Sequence, residues 1–199
     1  MPVYHSKKFR ESSLAHHLLD GLMGLEIGGS AHNAFGLDTL NVDRFPIGSD
    51  GHKAYAEEQA RLCGEVMPVD IVAPGDKIPV KDQSYDFIIS SHVIEHFYDP
   101  IAAIKEWQRI AKRYVFIICP HRDALESDRD KPLTELSELL DRNKAGANIE
   151  ATDEHHSRWT PDSFLKMCAW ILQGTEWSVV SYQINDDKVG NGFTVVLGK

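Results

Sequence analysis

Apolar and polar positions along the chain fall into short blocks of two periods. Phe9, Leu14, Leu18, Leu19 and Leu22 recur at near-helical spacing, with charges and histidines between them. That pattern predicts an amphipathic helix over residues 6–20, lying on a sheet or over a site. His16 and His17 read as its solvated face. Leu25–Gly28 predicts a first strand and Leu40–Asp43 a second, with a short helix beginning after Ser30. Residues 46–52 break into a loop rich in proline, glycine and serine. Residues 53–62 predict a helix, and Val66–Val72 a third strand that Pro68 marks as an edge.

The next block is the most regular. Tyr85-Asp86-Phe87-Ile88-Ile89-Ser90-Ser91 is the run expected of a strand buried on both faces. Asp99-Pro100 offers an N-cap and a first-turn proline, and Ile101, Ile104, Trp107 and Ile110 form the buried stripe of a helix. Tyr114–Cys119 is a further apolar strand, stopped by Pro120. Strand, helix and strand at this spacing require a right-handed parallel crossover. From His121 to Trp159 the chain turns polar, apart from an amphipathic patch around Leu133–Leu140. A connection of that length after a central strand points to function. Thr160-Pro161 opens a helix carrying Phe164, Leu165, Cys168, Ile171 and Leu172, and Trp177–Ile184 with Phe193–Leu197 closes the chain as an antiparallel hairpin. The fold class is α/β, a single doubly wound and mostly parallel sheet.

Composition narrows the function. A chain of 199 residues supports one domain with a substantial core. A net charge of −9 argues against a phosphate-binding surface, so nucleic acid is not an expected partner. Cys63, Cys119 and Cys168 are scattered, giving neither a disulfide framework nor a zinc spacing. No apolar run reaches membrane-spanning length, and the N-terminus lacks a signal-type apolar core. The expectation is a cytoplasmic protein with no membrane partner.

Chemistry concentrates in Gly24-Leu25-Glu26-Ile27-Gly28-Gly29-Ser30 and Leu40-Asn41-Val42-Asp43. Glycines at a strand end let the backbone approach a ligand closely, because no Cβ stands in the way. An acid at the tip of the next strand is placed to accept both hydroxyls of a ribose. Together they describe a nucleoside site at the carboxyl ends of parallel strands. Glu26 interrupts an apolar strand, where an unpaired carboxylate is costly; it is read as pairing with a ligand ammonium or orienting the turn.

With the block from Ile78 to His96, which ends Ser90-Ser91-His92-Val93-Ile94-Glu95-His96, these residues resemble the class I S-adenosylmethionine-dependent methyltransferases of the type-11 group. The resemblance covers residues 24–120 and, more loosely, the closing hairpin. It implies a seven-stranded sheet with its last strand antiparallel, and S-adenosylmethionine as cofactor. Gly28, Gly29 and Ser30 would wrap the methionine, and Asp43 would hold the ribose. Asp70 and Ile71 would flank the adenine, and Ser91 and His92 would lie at the sulfonium. Ser30 replaces a glycine of the family turn, and His32 a small residue.

His92, His96 and His121 are the candidate catalytic residues, since histidine is the natural base near neutral pH. His92, Glu95 and His96 also match the letters of an inverted zinc-peptidase motif, but a buried strand precedes them where that motif needs helix. A divalent metal assisting methyl transfer is a further reading. The preferred one has Glu95 and His96 capping the following helix, so no metal ligand is assigned. Asp153-Glu154-His155-His156 joins His121 on an acceptor-covering segment over 121–159. The reading is methyl transfer to a small-molecule or glycan-type acceptor at oxygen, by a single domain that is a candidate homodimer. The competitors are a nicotinamide-dependent oxidoreductase, disfavoured because Gly28–Asn33 lacks the Gly-x-Gly-x-x-Gly order, and a non-catalytic S-adenosylmethionine sensor.

Overall fold

The computed structural model describes residues 11–29, 35–64, 66–146 and 154–199. A seven-stranded sheet runs through the molecule in the spatial order β3-β2-β1-β4-β5-β7-β6. Its strands are β1 (Met23–Ile27), β2 (Asp38–Asp43), β3 (Ile71–Val72), β4 (Tyr85–Ser91), β5 (Ala111–Pro120), β6 (Ser178–Gln183) and β7 (Gly192–Gly198). All pairings are parallel except those of β7, which runs antiparallel to both β5 and β6. The chain steps outward from β1 to β3 and then returns to β4 on the other side of β1. The carboxyl ends of β1 and β4 therefore flank the reversal point of the sheet, where open α/β folds place ligands.

Helices cover both faces: α1 (Ser13–Leu19), α2 (Asp50–Cys63), α3 (Pro100–Ile110), the single turn α4 (Glu126–Arg129), α5 (Leu136–Ala145) and α6 (Pro161–Ile171). Alternation along the central strands feeds two cores. Leu25, Ile27, Ile88, Val115 and Ile117 pack with Ile101, Ile104 and Trp107 of α3 and with Phe164 and Cys168 of α6. Phe87, Ile89, Phe116 and Ile118 point the other way, against Ala15 and Leu19 of α1 and against Phe35. A strand feeding two cores has little room for polar residues, which is why Phe87-Ile88-Ile89 stands as an apolar run at the centre of β4.

Local chemistry sets the boundaries. Ser12 caps α1 through a hydrogen bond from Ala15 N–H, and residues 1–10 lie outside the described part. Helix α2 starts at Asp50 because Ser49 caps it, so the predicted loop over 46–52 is shorter than expected. The third strand contracts from Val66–Val72 to Ile71–Val72. Pro68 has no N–H to give to a ladder, and its carbonyl is taken by the Asn41 side chain at 2.7 Å. Asp99 caps α3 by accepting from Ala102 N–H, and Thr160 with Ser163 forms a capping box on α6, both at the predicted starts. The solvated face expected of α1 holds for His17 but not for His16, whose ring reaches Asp20 at 2.7 Å and the Phe35 carbonyl at 2.8 Å. Among the described residues no helix is long and apolar enough to cross a membrane.

Candidate functional site

Gly28 follows β1 with φ +62°, a left-handed conformation that favours glycine. Its N–H donates to the Val42 carbonyl at 2.8 Å, so the tips of β1 and β2 stay paired past the end of the strand. Gly29 N–H donates to Asn41 Oδ1 at 2.8 Å, and its carbonyl accepts from Gln59 Nε2 of α2 at 2.7 Å. A Cβ at Gly29 would lie 2.4 Å from Asn41 Oδ1, so this position excludes any side chain. Ser30 and the predicted helix start after it lie outside the described residues.

Asn41 and Gln59 are the residues that sequence reasoning missed here. Asn41 is fully buried and reaches Gly29 and Pro68 with its side chain, while its backbone exchanges hydrogen bonds with Asp70. Asp70 Oδ2 accepts from Asn41 N–H at 2.8 Å, which draws the chain before β3 against β2. Gln59 Oε1 accepts from Met67 N–H at 2.7 Å. A polar residue between two apolar neighbours in β2 was the only available signal, and nothing in the sequence pointed from it to Gln59.

Asp43 ends β2, half-buried, and its Oδ1 accepts from Phe45 N–H at 2.7 Å. Burial raises its pKa from the usual value, against the lowering effects of that hydrogen bond and of Arg44. Glu26 is buried in the middle of the sheet. Burial pushes its carboxyl up to about 7, opposed by the charge of Lys188 and a hydrogen bond from Thr39. Oε2 accepts from Thr39 Oγ1 at 3.3 Å, while Oε1 is buried with no hydrogen-bond partner among the described residues. Glu26 borders a hollow of about 280 Å³ that Phe35, Thr39, Asn41, Met67, Pro68 and Asp70 also line. Asp43 stands outside that wall, at the strand tip.

Beyond β4, the Ser90 and Ser91 hydroxyls are buried with no hydrogen-bond partner among the described residues. His92 follows with φ 54°, uncommon for a residue with a side chain and recurrent at functional turns. Its N–H donates to the Ile118 carbonyl at 3.0 Å, which ties the turn to β5. Glu95 and His96 form a 3₁₀ turn. Neither caps the following helix, which corrects the sequence expectation; Asp99 alone provides that cap. Glu95 is buried instead, and burial pushes its carboxyl up to about 8, with the Asp128 charge adding to the rise.

His121 follows β5, half-buried, with its N–H on the Asn191 carbonyl and its ring edge-on to Phe193. The polar segment after it folds back over the same end of the sheet. Arg122 N–H donates to the Trp159 carbonyl, and both His156 and Ser157 N–H donate to the Glu95 carbonyl. Arg142 of α5 holds this returning strap through Ser157 Oγ at 3.0 Å and the His156 carbonyl at 3.0 Å.

Of the predicted residues, Gly28, Gly29, Asp43, Ser91, His92 and His121 lie at or just past the carboxyl ends of β1, β2, β4 and β5, while Glu26 lies within β1 and Asp70 just before β3. Glu26, Gly28, Gly29, Asp43, Asp70 and Ile71 belong to β1, β2 and β3 or their extensions. Ser91, His92 and His96 belong to β4 and the turn after it, and His121 to the end of β5. A ligand carrying a cationic group fits this donor set, because Glu26 Oε1 is a buried acceptor with no hydrogen-bond partner among the described residues.

Residues 33–119 match the family model of a methyltransferase domain, a stretch that includes Asp43, Asp70, Ser91, His92 and His96 but stops short of the glycine turn. No curated protein matches the chain. Solved structures share its fold. An S-adenosylmethionine-dependent methyltransferase from Aquifex aeolicus is 18% identical with a TM-score of 0.53, over 96% of this chain and 90% of its own. A possible histamine N-methyltransferase from Thermotoga maritima is 19% identical with a TM-score of 0.53, over 92% and 84%. An S-adenosylmethionine-dependent methyltransferase from Methanosarcina mazei is 16% identical with a TM-score of 0.53, over 94% and 97%.

Proposed function

We infer the activity of this chain from the class I S-adenosylmethionine-dependent methyltransferase domain it carries: it transfers a methyl group to a small-molecule or glycan-type acceptor, at oxygen. One observation carries the seat of the cofactor. The tips of β1 and β2 lie side by side, one stripped of side chains at Gly28 and Gly29 and the other bearing Asp43. In this reading Gly28, Gly29 and Ser30 take the methionine portion, Asp43 the ribose hydroxyls, and Asp70 with Ile71 the adenine. Glu26 Oε1 offers the ammonium group a buried counter-charge. Ser91 and His92 face the reacting end.

When bound, the cofactor supplies a methyl group on positively charged sulfur. The chain's task is alignment, since an in-line displacement needs the acceptor behind the methyl carbon. The rim of Ser91, His92 and His121 would hold an acceptor oxygen in line with the methyl group, whose transfer is the chemistry the cofactor would supply. A hydroxyl acceptor also has a proton to lose, and His92, His96 and His121 are the bases within this rim. In this reading the segment after β5, with His121 and the returning strap at residues 155–157, would cover the acceptor, in a single domain that would work in the cytoplasm. A homodimer would use the outer edge of the sheet, where Val180, Tyr182 and Ile184 of β6 and its exit are exposed.

Titration calorimetry separates this reading from a nicotinamide enzyme. S-adenosylmethionine and S-adenosylhomocysteine should bind with micromolar dissociation constants, and NAD should give no heat. Binding of NAD alone would overturn the assignment.

A further inference from the structure

Three side chains unused by the cofactor seat converge behind the turn after β4. His96 Nε2 lies 3.8 Å from Glu95 Oε1, and His155 Nε2 lies 3.9 Å from that same oxygen. Both separations are too long for hydrogen bonds. The two rings stand edge to face with centroids 4.9 Å apart. Their other nitrogens point away to acceptors: His96 Nδ1 to the Glu154 carbonyl at 3.2 Å, and His155 Nδ1 to Asp128 Oδ2 at 2.5 Å. With Nδ1 of each ring held by those acceptors, the Nε2 edge of each ring is turned toward the carboxylate. Glu95 Oε2 is also buried with no hydrogen-bond partner among the described residues. One ligand atom from each of the three residues falls within 4.8 Å of the others.

Two imidazole nitrogens and one carboxylate oxygen gathered this closely make a donor set that a single divalent ion could share. Arg158 Nε and Lys131 Nζ are directed at Asp128, at 2.7 and 3.5 Å. A carboxylate behind a histidine, itself fixed by further contacts, is the outer arrangement that orients a metal-binding imidazole. We propose that Glu95, His96 and His155 form a binding site for one divalent transition-metal ion, with Asp128 as the positioning residue for His155. Two imidazoles and one carboxylate suit Zn²⁺, Mn²⁺ or Co²⁺ better than Mg²⁺ or Ca²⁺, which prefer all-oxygen sites. Three protein ligands leave coordination positions for water or an oxygen-bearing acceptor, and a metal-bound hydroxyl loses its proton more readily. The site stands on its own geometry; only its role, directing transfer to a hydroxyl, rests on the methyltransferase reading.

The test titrates chelator-treated protein with Co²⁺ and Zn²⁺, reading heat and the visible absorption of Co²⁺. One ion per chain should bind with a micromolar or lower dissociation constant. Asp128→Asn should weaken binding about 10–100-fold at unchanged stoichiometry. His155→Asn, and His96→Asn at the more exposed ring, should weaken it more than 100-fold. Affinity for S-adenosylhomocysteine, measured on the same samples, should not change. Co²⁺ affinity unchanged from the native chain in both histidine variants would overturn the site, as would no binding at millimolar metal by protein that still binds S-adenosylhomocysteine. Metal binding by a protein that ignores S-adenosylhomocysteine would uphold the site and remove the methyltransferase reading.

Discussion

Glu26 illustrates what one residue discloses from sequence. A carboxylate in the middle of an apolar strand is conspicuous because burying it unpaired is expensive, and it is indeed fully buried. Its folded carboxyl titrates at about 7 against an ordinary 4.5, so the folded chain holds that proton more tightly than the unfolded one. Stability from this group is therefore present below pH 4.5 and is lost as pH rises toward 7. Thermal melts of the ligand-free protein should show that loss, and Glu26→Gln should lessen it. The ionised form is the one that pairs with an ammonium. Calorimetry should accordingly find S-adenosylmethionine binding tightening between pH 6 and 8 in the native chain and staying flat in Glu26→Gln. Asp43 was equally visible, as an acid closing a short apolar run. Asp43→Ala should weaken cofactor binding at least tenfold while circular dichroism stays native; unchanged affinity would take Asp43 out of the site. Asn41 was not legible in the same way. Its importance comes from contacts to Gly29, Pro68 and Asp70 that exist only once three strands are assembled.

At the scale of elements, the helix starts at Asp99-Pro100 and Thr160-Pro161 were readable because capping is local chemistry. Strand β3 lies at the edge of the sheet, as Pro68 signals, but it is shorter than the apolar run suggests, because the Pro68 carbonyl goes to the Asn41 side chain instead of a ladder partner. The segment 121–159 was recognised as unusual, but its path was not readable. That path depends on Arg142, whose partners at Tyr98, His156 and Ser157 are brought together only by folding. Arg142 gathers α5, the turn before α3 and the returning strap. Arg142→Ala should thus speed hydrogen–deuterium exchange of residues 154–159 about tenfold or more while β4 and β5 stay protected. Uniform exchange rates between the two proteins would show that other contacts hold the strap. The cluster of Glu95, His96 and His155 belongs to this scale too. Glu95 and His96 are neighbours in sequence, but His155 arrives from the far end of the strap.

For the whole molecule, the order of buried strands and amphipathic helices was enough to predict a doubly wound sheet with a closing antiparallel hairpin. Each step of that order obeys rules of handedness and burial that leave few alternatives. The position of the seat follows from the same topology, because the reversal between β1 and β4 brings separate strand tips to one edge. What lies opposite the cofactor follows from side-chain packing of a long connection, which periodicity does not encode. A crystal structure of the chain with S-adenosylhomocysteine tests the account most directly. The account predicts the ribose hydroxyls within hydrogen-bond reach of Asp43, the adenine beside Asp70 and Ile71, and the sulfur turned toward Ser91 and His92. A ligand seated away from the tips of β1 and β2, with Asp43 facing only solvent, would contradict it.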